Sequence, residues 1–219
     1  VDPRGAVHVV EKNLACAAAL GVPVAAPRFP LSTPDPSPEV AAVVEAAGPA
    51  FAAINPGAAW PNKRWPAERF GALARRLADR CGLGSIVLWG PGQRALADAV
   101  AAAAGGAARI APPTSVGDLL VLLARAAVVV AGDTGPLHLA AALGTPVVGI
   151  YGPTDPRRNG PWDPHDRVVS RRAACACFHK RRCRAPQWCL GDVTVEEVIE
   201  EVGVRLSEER TSVRGARER

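Results

Sequence analysis

The chain has 219 residues, of which 48% are hydrophobic and 21% charged, values that are typical of a folded domain and exclude a disordered chain. No run approaches the roughly 20 apolar residues of a membrane-spanning helix, so none is predicted. The formal net charge is +5, and a basic surface of this kind suits nucleic acid, anionic lipid or a phosphorylated substrate. The chain contains no methionine, which predicts a fragment or a trimmed form of a longer protein.

The first part of the chain predicts a helix followed by a linker. Residues 6–21 have a helical pattern that ends at Gly21, a residue type that commonly terminates helices. Prolines then concentrate up to Pro38, and such a run cannot hold a helix. We therefore expect residues 1–26 to be the end of one domain, residues 27–40 to be a proline-rich linker, and residues 41–208 to be a second domain.

The second domain alternates short apolar runs with amphipathic helices. The predicted strands are residues 50–54, 85–89, 108–111, 127–131 and 146–151, and the predicted helices between them are residues 67–80, 93–104, 116–126 and 135–143. This alternation indicates right-handed βαβ units and an α/β, Rossmann-like parallel sheet. The strands are almost continuously apolar, which favours a sheet covered on both faces.

The end of the chain predicts one more helix and a tail. This helix runs from Val195 to Leu206, with Thr194 as its N-cap and Glu197 completing a capping box. Residues 209–219 are basic and are predicted to be disordered. Basic residues are concentrated in two places, residues 171–184 and the tail. They include Arg171, Arg172, Lys180, Arg181, Arg182, Arg184, Arg214, Arg217 and Arg219.

The strongest candidate site follows the predicted strand 127–131. Asp133, Thr134 and Gly135 form the turn into a helix, and the free N–H groups and partial positive charge of a helix N-terminus suit a phosphate. Gly135 lets a ligand approach the backbone, Thr134 adds a hydroxyl, and His138 in the first turn can face the same pocket. The alternative is an ordinary strand–turn–helix in which Asp133 caps the helix.

A second candidate site is the segment NPGAAWPNKRWP after the first predicted strand of this domain. Gly57 gives a flexible loop, and Lys63 is a compact point charge suited to phosphate, with a solvated loop lysine as the alternative. Loops at the carboxyl ends of parallel strands meet at one edge of the sheet. The two loops together therefore favour a diphosphate ligand.

Two more loops follow predicted strands. Gln93 comes after Trp89-Gly90-Pro91-Gly92 and could hydrogen-bond a sugar or ribose hydroxyl, or could be an exposed residue of a tight turn. In Pro112-Pro113-Thr114-Ser115, either Thr114 or Ser115 can cap the next helix, and Thr114 could instead contact a nucleobase.

A cysteine run lies near the C-terminus, spaced C-x-C-x5-C-x5-C, and it consists of Cys175, Cys177, Cys183 and Cys189. Four close cysteines can build a structural zinc site or an iron–sulfur site. The first pair is tighter than the usual zinc-finger pair, and reduced thiols packing a surface loop are the alternative. The basic residues around the run could face an anionic acceptor or a membrane.

Four blocks in order carry a resemblance to a known family. They read NPGAAWPNKRWP, LWGPGQ, PPTSVGDLL and GDTGPLHLAAALGTPVVGIYGPTDPRRNGP, and the similarity runs from about residue 51 to 199 and more faintly over residues 7–23. The chain resembles the ADP-heptose:lipopolysaccharide heptosyltransferases, glycosyltransferase family 9. The resemblance implies a two-domain glycosyltransferase B fold, of which residues 1–26 would end the N-terminal acceptor domain and residues 41–208 would form the C-terminal donor domain.

The resemblance also implies roles for the candidate residues. Lys63 would hold the donor diphosphate, and Asp133, Thr134, Gly135 and His138 would form the donor pocket. Thr114 would lie near the base, and Gln93 would reach the ribose, although many relatives have a glutamate there. The family's general base is an aspartate in the N-terminal domain, so this chain would contain no catalytic residue and would bind donor without transferring sugar.

The resemblance further implies an inverting transfer of heptose, or a related sugar, that requires no metal. The partners would be a nucleotide sugar, such as ADP-heptose, and a lipopolysaccharide-core, lipid-linked or other glycan acceptor. The location would be the cytoplasm, with peripheral contact at the inner face of the membrane, and no nucleic-acid partner is expected.

Two alternatives to this function stay open: a nucleotide-sugar epimerase of the same fold, and a non-catalytic module that binds nucleic acid through a metal knuckle. A dinucleotide oxidoreductase is disfavoured because no G-x-G-x-x-G follows a strand.

Overall fold

The structure, a computed structural model, describes residues 5–183, 185 and 188–217, with side chains described up to residue 209. Arg184 and Arg219 of the predicted basic surface lie outside the described residues, as do residues 1–4 of the predicted first segment. Within the described part of the chain, no helix has both the length and the apolar character needed to cross a membrane.

The centre of the molecule is a six-stranded sheet in which every neighbouring pair is parallel. Its order is β3-β2-β1-β4-β5-β6, with the strands β1 (Phe51–Asn55), β2 (Gly84–Val87), β3 (Ala108–Ile110), β4 (Val128–Gly132), β5 (Val147–Tyr151) and β6 (Arg167–Ser170). This is the order of a doubly wound dinucleotide-type fold. The prediction of an α/β, Rossmann-like parallel sheet is therefore confirmed.

Helices cover both faces of the sheet. The described helices are α1 (Val9–Ala19), α2 (Pro38–Ala47), α3 (Ala67–Cys81), α4 (Arg94–Ala104), α5 (Val116–Arg125), α6 (Gly135–Ala142), α7 (Pro156–Asn159) and α8 (Val195–Arg217), with short 3-10 turns at Pro61–Lys63, Arg172–Ala174 and Cys189–Asp192. One core cluster joins the sheet to α3, α4 and α8, and a second joins it to α2, α5 and α6. The strands β1 and β4 are buried along their whole length, as their continuous apolar sequences require.

Helix α3 illustrates how the sequence directs this packing. Phe70, Leu73 and Leu77 recur at helical spacing, and each is at most 1% exposed against the sheet. Burial of each such side chain contributes about 1.5–3 kcal/mol. The helix ends at Gly82, whose φ of 66° lies in the left-handed region that favours glycine.

The predicted linker 27–40 is wrong at its end. Helix α2 begins at Pro38, with Ser37 as its N-cap, and Val40 is fully buried in the core. Serine followed by proline is a favoured helix start, and this local signal decides the structure there. The N-cap also contacts the domain, since the N–H of Ser37 donates to Oδ1 of Asp118 at 2.9 Å.

The end of the chain also differs from its prediction. Helix α8 continues to Arg217, so the helix end predicted at Leu206 and the disordered tail predicted from residue 209 are wrong over residues 209–217. This stretch contains no proline, and it includes one glutamate and three arginines, which are good helix formers. Residues 218 and 219 lie outside the described residues.

The N-terminal segment makes few contacts with the rest of the chain. Helix α1 has no buried residue, and it touches the domain through His8, whose Nε2 lies 3.1 Å from the carbonyl oxygen of Gly160 and whose ring packs edge-on against Trp162. The assignment of residues 1–26 to the end of another domain stays a prediction.

Candidate functional site

A cavity of about 620 Å³ lies beyond the carboxyl ends of β1 to β4. In a doubly wound sheet the ligand crevice forms at the point where the strand order reverses, which here lies between β1 and β4. The volume is within the range of small-molecule sites. Seven of the sequence-predicted residues line it: Gly57, Lys63, Gln93, Thr114, Asp133, Thr134 and Gly135.

An ion pair joins the two best candidate loops at this cavity. Nζ of Lys63, in the loop after β1, donates to Oδ2 of Asp133, in the loop after β4, at 2.7 Å. The other carboxylate oxygen of Asp133, Oδ1, lies 3.0 Å from Nε2 of His138 on α6. Both carboxylate oxygens of Asp133 are thus occupied, and the side chain is only 7% exposed.

These contacts determine the protonation of Asp133. Burial by itself would raise the pKa of this carboxyl group, but the hydrogen bonds from His138 and Lys63 and the lysine charge outweigh it. The pKa of Asp133 is therefore held well below its usual range. The residue is an anion at neutral pH, and Lys63 provides the opposite charge.

His138 does not face the main cavity, contrary to the sequence prediction. It lies behind Asp133 and lines a second cavity of about 250 Å³ together with His8 and Trp162. The first turn of α6 presents two sides, and the hydrogen bond to Asp133 holds this imidazole on the far one. His138 therefore contacts the carboxylate of Asp133 and does not line the main cavity.

Asn55 ties the two loops together and was not among the predicted site residues. Its Nδ2 donates to the carbonyl oxygen of Gly57 at 3.1 Å and to Oγ1 of Thr134 at 3.2 Å. Oγ1 of Thr134 in turn donates to the carbonyl oxygen of Gly132 at 3.1 Å. A polar residue at the end of a buried strand was the available sequence signal.

Two close approaches explain glycines at this edge. A Cβ on Gly57 would overlap Oε1 of Gln93, so this glycine lets the glutamine side chain lie over the loop after β1. A Cβ on Gly132 would lie 2.8 Å from the carbonyl oxygen of Lys63. The backbone that carries Lys63 therefore rests directly on the end of β4.

In the loop after β3, one residue caps helix α5 and another is free to contact a ligand. Oγ of Ser115 accepts the N–H of Asp118 at 3.0 Å, and Asp118 completes the capping box of α5. Hydrogen bonds from the backbone of Ser37 and from Ser115 lower the pKa of Asp118 to about 2. Ser115 is therefore the cap, and Thr114 is left lining the cavity.

Two aromatic residues also line the cavity. The ring of Trp60 lies beside Lys63, with Nζ 4.6 Å from its centroid. Nε1 of Trp89 donates to the carbonyl oxygen of Ala111 at 2.7 Å, which fixes the indole after β2. Such flat apolar surfaces suit a nucleobase or a sugar ring.

The four cysteines of the C-terminal run are free thiols. Sγ of Cys175 lies 3.4 Å from Sγ of Cys177, and burial raises the pKa of both Cys175 and Cys189. Among the described residues, no group of three or more histidine, cysteine or acidic side chains is arranged to hold a metal ion. The zinc or iron–sulfur site that the spacing allows stays a prediction.

The fold and the cavity define a class of protein. A Rossmann-like domain with this strand order, and with a lysine and a helix N-terminus at its switch point, matches the glycosyltransferase B fold. Solved structures share this architecture. "Structure of E. coli ADP-heptose lps heptosyltransferase II" superimposes with a TM-score of 0.67 at 24% identity over 86% of this chain and 56% of that one. "E. coli heptosyltransferase WaaC with ADP-2-deoxy-2-fluoro heptose" gives 0.61 at 26% identity over 89% and 55%.

The chain belongs to glycosyltransferase family 9 (heptosyltransferase), whose family model matches residues 1–189. It is 32% identical over 165 residues to lipopolysaccharide heptosyltransferase 2 of Salmonella typhimurium, covering 70% of this chain and 46% of that protein. It thus spans about half the length of this curated relative.

Proposed function

We propose that this chain is the donor-binding half of an inverting heptosyltransferase and that the cavity binds ADP-heptose or a related nucleotide sugar. One observation carries the proposal. A lysine from the loop after β1 and a helix N-terminus from the loop after β4 converge at the switch-point cavity, joined by the Lys63–Asp133 ion pair at 2.7 Å. This combination of a point charge and free N–H groups suits a diphosphate.

The anionic Asp133 is compatible with an anionic ligand. Its two oxygens already accept from Lys63 and His138, so its charge is compensated within the protein. An ammonium group has three donors, and Lys63 can keep Asp133 while it donates to a phosphate. The N–H groups of Thr134 and Gly135 would bind the same phosphates from the other side.

The remainder of the cavity would hold the nucleoside. Oε1 of Gln93 accepts the N–H of Gly90 at 3.4 Å, so the amide nitrogen is the group left for a ribose hydroxyl. Thr114 and the indole of Trp89 would contact the base. These contacts suit a purine base and a pyrimidine base equally.

The chemistry of transfer follows from these contacts. As the bond between sugar and phosphate breaks, the departing nucleoside diphosphate gathers negative charge, which Lys63 and the helix N–H groups would stabilise. No metal is required for this role. The general base that deprotonates the acceptor hydroxyl would come from an N-terminal acceptor domain and not from this chain. The acceptor would be a lipid-linked or other glycan in the cytoplasm, met at the inner face of the membrane.

The first test is calorimetric titration of the folded chain with ADP, UDP, GDP and NAD. The proposal predicts selective binding of one nucleoside diphosphate and weak binding of NAD. A folded chain that binds none of them would overturn it. An epimerase of the same fold is separated by its product, since it inverts a sugar carbon on the nucleotide without any acceptor.

The cysteine run can be tested separately. Its cysteines either stay reduced thiols or bind a zinc or iron–sulfur site as thiolates. Metal analysis of the chain purified without chelator, before and after treatment with a thiol-alkylating reagent, separates the two. A stoichiometric metal that is lost on alkylation supports the metal site, and its absence supports reduced thiols.

A further inference from the structure

The cysteine-rich lobe, defined as residues 175–183, 188 and 189, is attached to the loop that carries Lys63. The attachment runs through Asn62, whose Nδ2 donates to the carbonyl oxygen of Lys180 at 2.7 Å and to Sγ of Cys177 at 3.3 Å. Nε1 of Trp188 donates back to the carbonyl oxygen of Asn62 at 3.2 Å. Hydrogen bonds thus connect one buried amide residue to both ends of the lobe.

Asn62 links the lobe to the backbone of Lys63 at the cavity. It is 4% exposed and directly precedes Lys63 in the chain. On the other side, the carbonyl oxygen of Lys63 lies against Gly132 at the end of β4. The backbone of Lys63 is therefore held between the sheet and the lobe, and the lobe cannot shift without disturbing this loop.

The lobe also brings a second positive charge next to Trp60, a residue that lines the cavity. Cζ of Arg181 lies 5.7 Å from the ring centroid of Trp60, and Nζ of Lys63 lies 4.6 Å from the same centroid. The two cations are thus within about 10 Å of each other, which is the distance over which 0.1 M salt screens charges. Trp60 lines the cavity, and the Arg181 side chain is exposed beside it.

We infer that the cysteine-rich lobe completes the diphosphate subsite. Arg181 binds the nucleoside diphosphate together with Lys63, and Asn62 positions Arg181 for this contact. A guanidinium presents a planar fork of donors that matches phosphate oxygens, whereas an ammonium is a point charge. The two cations therefore complement one another on a ligand with two phosphates. This inference rests on the proposed donor-binding function and adds a binding residue and a positioning residue to it.

The test compares Arg181→Ala with Arg182→Ala, a neighbouring variant that loses the same charge from an exposed position. ADP and uncharged adenosine are titrated into each folded variant at fixed ionic strength. We expect Arg181→Ala to weaken ADP binding by about 3–30-fold and to leave adenosine binding unchanged, because only the phosphates meet this residue. Arg181→Lys should recover part of the loss, and Arg182→Ala should resemble the wild type.

Asn62→Leu tests the positioning role in the same assay. It removes both amide donors at similar volume, so we expect ADP affinity to fall. In an Arg181→Ala background the same change should have a smaller effect, since the residue it positions is already gone. If the wild-type chain binds ADP and Arg181→Ala binds it equally well, this inference is overturned and the donor-binding proposal stands. If the wild-type chain binds no nucleoside diphosphate, both fail.

Discussion

Lys63 and Asp133 form a 2.7 Å ion pair between residues that lie 70 positions apart in the chain. The pair links the loop after β1 to the loop after β4, the two strands between which the sheet order reverses. Their side chains are 16% and 7% exposed, so solvent screens the pair only in part. The same contact thus contributes to folding and arranges the cavity.

Replacing Asp133 with asparagine should lower stability by roughly 1–3 kcal/mol at pH 7, because Lys63 loses the partner of its half-buried charge. The pKa of Asp133 is lowered in the folded state, so its contribution is present above the unfolded pKa of about 3.9 and is lost as the pH falls further. The stability gap between wild type and variant should therefore shrink in urea unfolding at pH 3. Asp98→Asn, which breaks an exposed pair with Arg94, should cost less than about 0.5 kcal/mol. Equal losses in the two variants would contradict this account.

Gly57→Ala should act on the nucleotide site through Gln93. The new methyl group would occupy the position of Oε1 of Gln93, and this flexible side chain should swing away, so stability should change by less than about 1.5 kcal/mol. Nucleotide affinity should then fall about as far as in Gln93→Ala, and the double variant should be no weaker than either single one. Gly203→Ala, where the methyl group meets open space on α8, serves as the control and should leave affinity unchanged. Additive losses in affinity would show that the two residues act separately.

Arg205→Ala should be the most damaging of these changes to the fold. This arginine is 3% exposed, its Nε donates to Oδ1 of Asp166 at 3.0 Å, and burial raises the pKa of Asp166 despite that bond. Removing the cation leaves a buried carboxylate unpaired, which costs roughly 3–5 kcal/mol. Arg76→Ala, which breaks the exposed 3.6 Å pair with Glu196, should cost at most about 1 kcal/mol in the same chemical denaturation experiment. A small loss for Arg205→Ala would mean that α8 is held by apolar packing alone.

The elements that sequence alone predicted are those with strong local patterns. The strands β1, β4 and β5 are buried throughout and almost wholly apolar because helices cover both faces of the sheet, and α3 has a clear apolar stripe. The strand β6 was missed because in RVVS only Val169 is buried, so the pattern is too short and too polar to predict a strand. Helix α2 was missed because its first residue, Pro38, belongs to the run of prolines taken as a linker.

The sequence predicted which loops form the site, but it did not predict the hydrogen bonds between them. Strand-end residues such as Lys63 and Asp133 were found because parallel strands bring their carboxyl ends to one edge. The partners of Asn62 lie 115 or more residues away, and no local pattern predicts a contact of that length. The hydrogen bond between His138 and Asp133 spans only five residues, and it determines the side of α6 that the imidazole faces.

The central claim is that Lys63 binds the diphosphate of a nucleotide sugar at the switch-point cavity. Its most direct measurement is the ADP affinity of the wild-type chain, of Lys63→Ala and of Arg80→Ala, determined by calorimetry. Arg80→Ala loses the same charge from the last turn of α3, away from the cavity. Loss of one charge-assisted contact predicts a roughly 10–100-fold weaker affinity for Lys63→Ala and an unchanged affinity for Arg80→Ala. Equal ADP affinity in all three folded proteins would contradict the claim.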